Sequence, residues 1–244
     1  MRSSANQPPA EAETHIWRVP LNAKASAAER FASLFSPAET RRAAKFRFQH
    51  LRHGYILAHG ALRRILSGYC GAAPQQLRFD PGRFGKPYLS DPPDRLCFNL
   101  SHCADLALVA VTSGARVGVD VETSARRLNE LELVIDRYFG GEERAFIEAA
   151  GPARRMQAFC TLWTRREAVA KALGLDLGAA VKGFDIPVYA AGQSTVCPAL
   201  PAGEEGEAPG GAWLLQDLTL DSGHIAAVCV QGKKSEIVLR EFIF

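Results

Sequence analysis

The chain has 244 residues, 29 Lys and Arg against 26 Asp and Glu, a net charge of +3 and 47% hydrophobic residues. That is an ordinary globular balance, able to bury a core as one large domain or two smaller ones. The charge is too mild to argue for nucleic acid but leaves room for an acidic partner, and no apolar run approaches the roughly 18 residues of a membrane span.

In chain order, residues 1–14 are polar and rich in Pro and Ala, which predicts a disordered N-terminus without the apolar stretch of a signal peptide. In FSPAETRRAAKFRF, Ser36 is placed to cap a helix with Pro37 at its first position, and Arg41, Arg42, Lys45 and Arg47 follow within two turns. HGYILAHGALRRILSGYCG reads as a long amphipathic helix ending at Gly68 or Gly71. GRFGKPYLSDPPD has the composition of a loop. RLCFNLSH and LALVAVTSGARVGVDVE predict three strands, the middle one apolar enough to be buried on both faces.

The second half repeats this order. A helical stretch over residues 129–149 precedes RRMQAFCTLWTRREAVAKALG, a helix stopping at Gly174. Strands are predicted at FDIPVYA, AWLLQDLTL and HIAAVCV, and ADLALVAV loosely resembles SGHIAAVCV. The expected class is α+β: two similar α/β lobes, residues 15–115 and 116–244, the second carrying a flexible insertion at 191–211.

Six cysteines (Cys70, Cys97, Cys103, Cys160, Cys197 and Cys229) form no CxxC pair and predict reduced thiols in a cytoplasmic protein. His50 and His53 form an HxxH, but nothing near them completes a zinc site.

Three constellations carry chemistry. In VGVDVE, Asp120 and Glu122 share one strand face, either as the wet side of an edge strand or as paired ligands. In WTRREAVAKALG, Trp163, Glu167 and Lys171 share one helix face. A surface Glu–Lys pair is the plain alternative, but the apolar residues around it argue for packing. Three carboxylate ligands without cysteine or a suitable histidine suit a hard divalent ion such as Mg²⁺. In FNLSHCAD, Asn99, Ser101 and His102 end a strand, His102 as a turn cap or as an anion contact. GRFGKP adds Arg83 and Lys86 on a loop able to approach an anion, yet ends GKP where a Walker A loop needs GK[ST]. Together they indicate a phosphoryl-transfer or phosphate-ester site.

GRFGKPYL, FNLSHCADLALVAV, GVDVE, RYFGGEERAFI and LWTRREAVAKALG, in this order, resemble the motif series of the 4′-phosphopantetheinyl transferases, surfactin-synthetase-activator (Sfp) type. The resemblance runs from about residue 36 to residue 183 and implies two α/β lobes with coenzyme A and Mg²⁺ bound in the cleft between them. It implies Asp120, Glu122 and Glu167 as metal ligands, Glu167 also as the base for a carrier-protein serine, and Lys171 as the residue steadying the transferred phosphate. Ser101, His102 and Lys86 match coenzyme A phosphate contacts, with Arg42, Arg52, Arg83 and Asn99 as further candidates. Arg166 stands where a lysine is usual, and Glu39 where a basic contact is expected.

The implied reaction converts an apo acyl or peptidyl carrier protein to its holo form, releasing adenosine 3′,5′-bisphosphate. Arg126 and Arg127, with the stretch from Asn129 to Phe139, are the expected carrier-docking surface on a monomer with no nucleic-acid or membrane partner. Two rivals stand beside this reading: a Mg²⁺-dependent phosphodiesterase or pyrophosphatase on coenzyme A or a nucleotide, and a non-catalytic carrier-binding module.

Overall fold

A computed structural model of the chain describes residues 7–82, 85–92, 95–125, 130–175, 186–188, 192–196, 211–220 and 223–244. Arg83, Arg126, Arg127 and most of the 191–211 insertion lie outside these residues. Its contacts divide it into two units, Met1–Gly82 with Pro87–Gly114 and Glu236–Phe244, and Arg83–Lys86 with Ala115–Ser235.

The first unit opens with strand β1 (Glu13–Pro20) and helices α1 (Ala25–Ala32), α2 (Pro37–Ala44) and α3 (Gln49–Cys70). Ser36 and Glu39 form a reciprocal capping box at α2. α3 ends where Gly71 adopts φ 74°, a left-handed conformation that glycine enters without a Cβ penalty. A hairpin of β2 (Arg78–Pro81) and β3 (Pro87–Asp91) follows, then β4 (Leu96–Cys103) and β5 (Leu106–Ser113). β5 is buried on both faces along seven of its eight residues, as its unbroken apolar run requires.

The second unit repeats the plan with β6 (Val117–Thr123), α4 (Leu131–Tyr138), α5 (Gly141–Ala149), α6 (Gly151–Leu173), β7 (Gln193–Val196), β8 (Trp213–Leu218) and β9 (His224–Gln231). In each unit a strand leads into helices, and a later strand returns antiparallel beside it: β5 beside β1, and β9 beside β6. The loosely similar segments ADLALVAV and SGHIAAVCV are therefore equivalent strands of an α+β repeat. The sheet orders are β10-β1-β5-β4 and β6-β9-β8-β7, where β10 (Glu236–Glu241) runs parallel to β1.

Several local expectations are corrected. Glu13 and Thr14 lie in β1 rather than in a disordered tail, and Ser113 Oγ donates to the Pro9 carbonyl at 2.7 Å. β1 and α1 add to the elements expected from the sequence. Part of the expected loop GRFGKPYLSDPPD is strand, because Tyr88 and Leu89 pair with β2 despite their Gly and Pro flanks. The helical stretch 129–149 breaks at extended Phe139, and Gly140 N donates to Glu143 Oε2 at 2.7 Å to start α5. Residues 186–188 of the strand expected at FDIPVYA have no regular structure, and the rest of it lies outside the described residues. Among the described residues no helix is long and apolar enough to cross a membrane.

Candidate functional site

Strand alternation puts Gly118, Asp120 and Glu122 on one face of β6, opposite Cys229, Ala227 and Ile225 of β9. That face lies under α6. A Cβ on Gly118 would collide with the Ala168 carbonyl and the Ala172 backbone nitrogen, so only glycine permits this approach of helix to strand. Cys160 Sγ lies 3.8 Å from the Thr123 carbonyl, so α6 runs antiparallel to β6. The close approach brings Lys171 to Asp120: Lys171 Nζ donates to Asp120 Oδ1 at 2.5 Å. Asp120 is 5% exposed, whereas the Lys171 side chain keeps 27% of its surface in solvent.

Glu122 and Glu167 are partly buried, Glu167 one turn before Lys171 on α6. Among the described residues, however, no group of three or more His, Cys, Asp or Glu side chains is arranged to hold a metal ion. The structure thus joins Asp120 to Lys171 and does not assemble Asp120, Glu122 and Glu167 into a finished ligand cage. The donor chemistry still fits a hard cation, since carboxylate oxygens face α6 while burial raises the Cys229 thiol and keeps it protonated.

Around this pair the second unit is locked by buried ion pairs. Arg166, substituted for the expected lysine, donates to Glu143 Oε1 at 2.5 Å and lies over the Phe139 ring, tying α6 to α5. Arg165 grips Asp217 through two hydrogen bonds of 2.6 and 2.8 Å. Beside them is a groove of about 660 Å³, whose lining includes Phe146, Arg154, Thr161, Leu218, His224 and Ile225. Lys86 Nζ donates to the Val117 carbonyl at 2.7 Å, so this candidate phosphate contact also holds the start of β6.

In the first unit, Asn99 and Ser101 are buried on β4 while His102 is exposed, and alternation sends His102 to the opposite strand face. Arg42 is exposed with its guanidinium 5.8 Å from the Tyr55 ring centroid, and Tyr55 packs on His59 at 4.1 Å. Burial depresses the His59 pKa to about 4. Glu39 opposes that shift, while His102, Arg42 and Arg63 add to it. Arg42, His59 and His102 therefore share one electrostatic neighbourhood. Arg52 stands about two turns earlier on α3, exposed.

Glu39 has a structural task. Its carboxylate accepts from Arg63 Nε and Nη2 at 3.0 and 2.6 Å and from the Ser36 backbone nitrogen at 2.8 Å. Burial pushes its pKa up, but the Arg63 and Ser36 hydrogen bonds outweigh that and leave it lowered. Ser-x-x-Glu before a helix signalled the cap; nothing local signalled Arg63, which lies 24 residues away.

Residues 116–229 match the 4′-phosphopantetheinyl transferase superfamily (ACPS). The chain is 35% identical over 222 residues to the 4′-phosphopantetheinyl transferase HetI of Nostoc sp. (strain PCC 7120), covering 90% of this chain and 88% of that protein. It is 26% identical over 168 residues to the 4′-phosphopantetheinyl transferase Sfp of Bacillus subtilis, covering 69% and 73%. A putative 4′-phosphopantetheinyl transferase of Synechocystis, slr0495, is 30% identical over 145 residues, covering 59% and 58%. With a β6–α6 core that sets an acidic strand against a glutamate- and lysine-bearing helix, and relatives matched over most of its length, the chain belongs to the 4′-phosphopantetheinyl transferase superfamily.

Proposed function

We propose that the protein transfers the 4′-phosphopantetheine group of coenzyme A to a serine of an apo acyl or peptidyl carrier protein. The observation that carries this is the Asp120–Lys171 contact at 2.5 Å on the β6–α6 core, inside the matched segment of the family. Hydrolysis of coenzyme A or a nucleotide is not favoured by relatives named as transferases. Within the superfamily, the order of the five motifs supports the surfactin-synthetase-activator type, while the identity to HetI, 35%, exceeds that to Sfp, 26%.

In this reaction the serine oxygen forms a bond to the phosphorus bearing pantetheine. The bond from that phosphorus to the bridging oxygen breaks, and adenosine 3′,5′-bisphosphate leaves with the oxygen. Glu167 takes the serine proton. Lys171 steadies charge on the phosphates from its place beside Asp120. Asp120, Glu122 and Glu167 would hold Mg²⁺, which when bound neutralises the pyrophosphate. Arg42, Asn99, Ser101, His102 and Lys86 are proposed to contact coenzyme A, with Arg52 and Arg83 as further basic candidates. Arg126 and Arg127 are proposed to meet the carrier.

The test is direct. Incubation with an apo carrier protein, coenzyme A and Mg²⁺ should add one phosphopantetheine to the intact mass of the carrier. Production of adenosine 3′,5′-bisphosphate with every carrier in a broad panel left unmodified would replace transfer by hydrolysis.

A further inference from the structure

In the first unit, the C-terminal strand β10 meets one buried histidine of β1. His15 is 1% exposed and shares its strand face with Glu13 and Trp17. Its Nδ1 stands 2.6 Å from the Tyr69 hydroxyl of α3, and that oxygen also accepts from Trp17 Nε1 at 2.7 Å. Its Nε2 meets two groups at once, Arg240 Nη2 of β10 and Glu13 Oε1, each at 3.1 Å. A guanidinium only donates and an ionised carboxylate only accepts. One ring nitrogen therefore satisfies one of them at a time: bare, it accepts from Arg240, and protonated, it donates to Glu13. Arg240 depends on that choice. Its guanidinium lies 5.6 Å from the Trp17 ring centroid, and its Nε is buried without a hydrogen-bond partner. Among the described residues, His15 Nε2 is the one side-chain acceptor that the Arg240 guanidinium reaches. Losing it leaves buried donors unsatisfied, which works against the seated strand.

We propose that His15 is a proton-operated latch on the C-terminal strand: bare at Nε2 it holds Arg240 and seats β10 on β1, and protonated it turns to Glu13 and lets β10 lift. The groups around it keep their own charge while it changes. The Ala10 backbone N–H donates to Glu13 at 3.0 Å and, foremost among several causes, holds that carboxyl below the ordinary carboxylate range, so Glu13 stays an anion. Burial pushes Tyr69 up to about 12, so it stays a phenol. On β5 and β10 the residues opposite His15 are Val111 and Val238, and the further charge on this face of β10, Glu236, is exposed opposite Glu13. Burial holds His15 below the ordinary histidine value of 6.5; Glu13 opposes that shift and Arg240 adds to it. A group lowered in this way favours the seated strand above pH 6.5 and ceases to as pH falls. Release takes from β1 its parallel neighbour, and takes Phe242 and Phe244 off the Phe31 ring, which they meet at 6.0 and 5.4 Å. Acid thus opens a strand edge and an aromatic patch together. The Arg18–Glu241 ion pair lies on the other face of the two strands, away from His15.

Hydrogen exchange read by mass spectrometry on the full chain, at pH 7.5 and pH 5.5 and corrected for the intrinsic pH dependence of exchange, measures the opening of β10. An open strand in which His15 titrates ordinarily gains up to about tenfold in population over that range. Wild-type amides of residues 236–241 should therefore exchange up to about tenfold faster at the lower pH, and those of β5 by much less. His15→Gln keeps an oxygen that accepts from Arg240 but does not titrate, so its β10 amides should exchange alike at both pH values. Glu13→Gln removes the charge that attracts the protonated ring and should shrink the wild-type increase. Imidazole ¹⁵N spectra of the wild type read the ring directly: at pH 7.5 Nε2 should be bare and Nδ1 protonated. A proton on Nε2 at pH 7.5 overturns the proposal, whether or not the variants fold. So does an equal acceleration of β10 in His15→Gln. A β5 that accelerates by the same factor as β10 also overturns it, since that is unfolding of the whole unit and not release of one strand.

Discussion

Lys171 Nζ sits 2.5 Å from Asp120 Oδ1, and this contact supplies the positive charge that a strand carrying two carboxylates on one face requires. The ammonium comes from the neighbouring helix, brought close because Gly118 has no side chain. The two residues proposed to act on phosphate are therefore balanced against each other in charge.

Lys171→Met removes the partner of a buried carboxylate and should cost about 2–3 kcal/mol, at the low end for a buried pair because Lys171 keeps a solvent-facing edge. Urea unfolding measures it. Adding Asp120→Asn to Lys171→Met should restore most of the lost stability and none of the activity. If Lys171→Met alone unfolds like the wild type, the pair contributes nothing to the fold.

Gly118→Ala should push α6 off β6, since the new methyl would meet backbone rather than a movable side chain. A loss of about 1–3 kcal/mol or more is expected, with transfer activity falling further than stability because Lys171 and Asp120 lose their register. Calorimetry and carrier-mass kinetics on one preparation separate the two effects. Wild-type values for both would show that the helix approach is not tight.

The metal prediction concerns Asp120, Glu122 and Glu167. Chelation with EDTA should abolish transfer, and Mg²⁺ should restore it. Asp120→Ala and Glu122→Ala should each lose activity while unfolding cooperatively. Glu167→Gln should keep coenzyme A binding by calorimetry but lose turnover, because an amide cannot accept the serine proton. Normal turnover by Glu167→Gln would move the base to another group.

His59 makes stability depend on pH. Its folded pKa, about 4, lies below the ordinary histidine value of 6.5, so at intermediate pH the unfolded chain binds a proton that the folded chain refuses. Stability from this group is full above pH 6.5 and declines as pH falls toward 4. His59→Leu should flatten the fall in urea midpoint between pH 7 and pH 5. An equally steep fall in the variant would assign the effect to other groups, such as His15, whose pKa burial also lowers.

The local signals in the sequence were reliable where one residue type serves one backbone need. Ser36 and Pro37 began a helix, and Gly71 and Gly174 ended the two long ones, because capping and left-handed turns are properties of the chain nearby. The unbroken apolar run of β5 announced a strand buried on both faces, and the order of the motifs announced the family. Tyr88 and Leu89 have the Gly and Pro flanks of a loop, but their pairing with β2 makes them strand.

What only the tertiary structure decided lies in contacts between residues far apart in the chain. Glu39 serves Arg63, Arg166 serves Glu143, and Lys171 reaches Asp120 across 51 residues. The parallel seat of β10 beside β1 joins the two ends of the chain in one sheet. Spacing and propensity report which side chains share an element's face. They carry no information on which distant face arrives opposite, because that depends on how closely whole elements pack, and at β6 the packing turns on the missing side chain of Gly118.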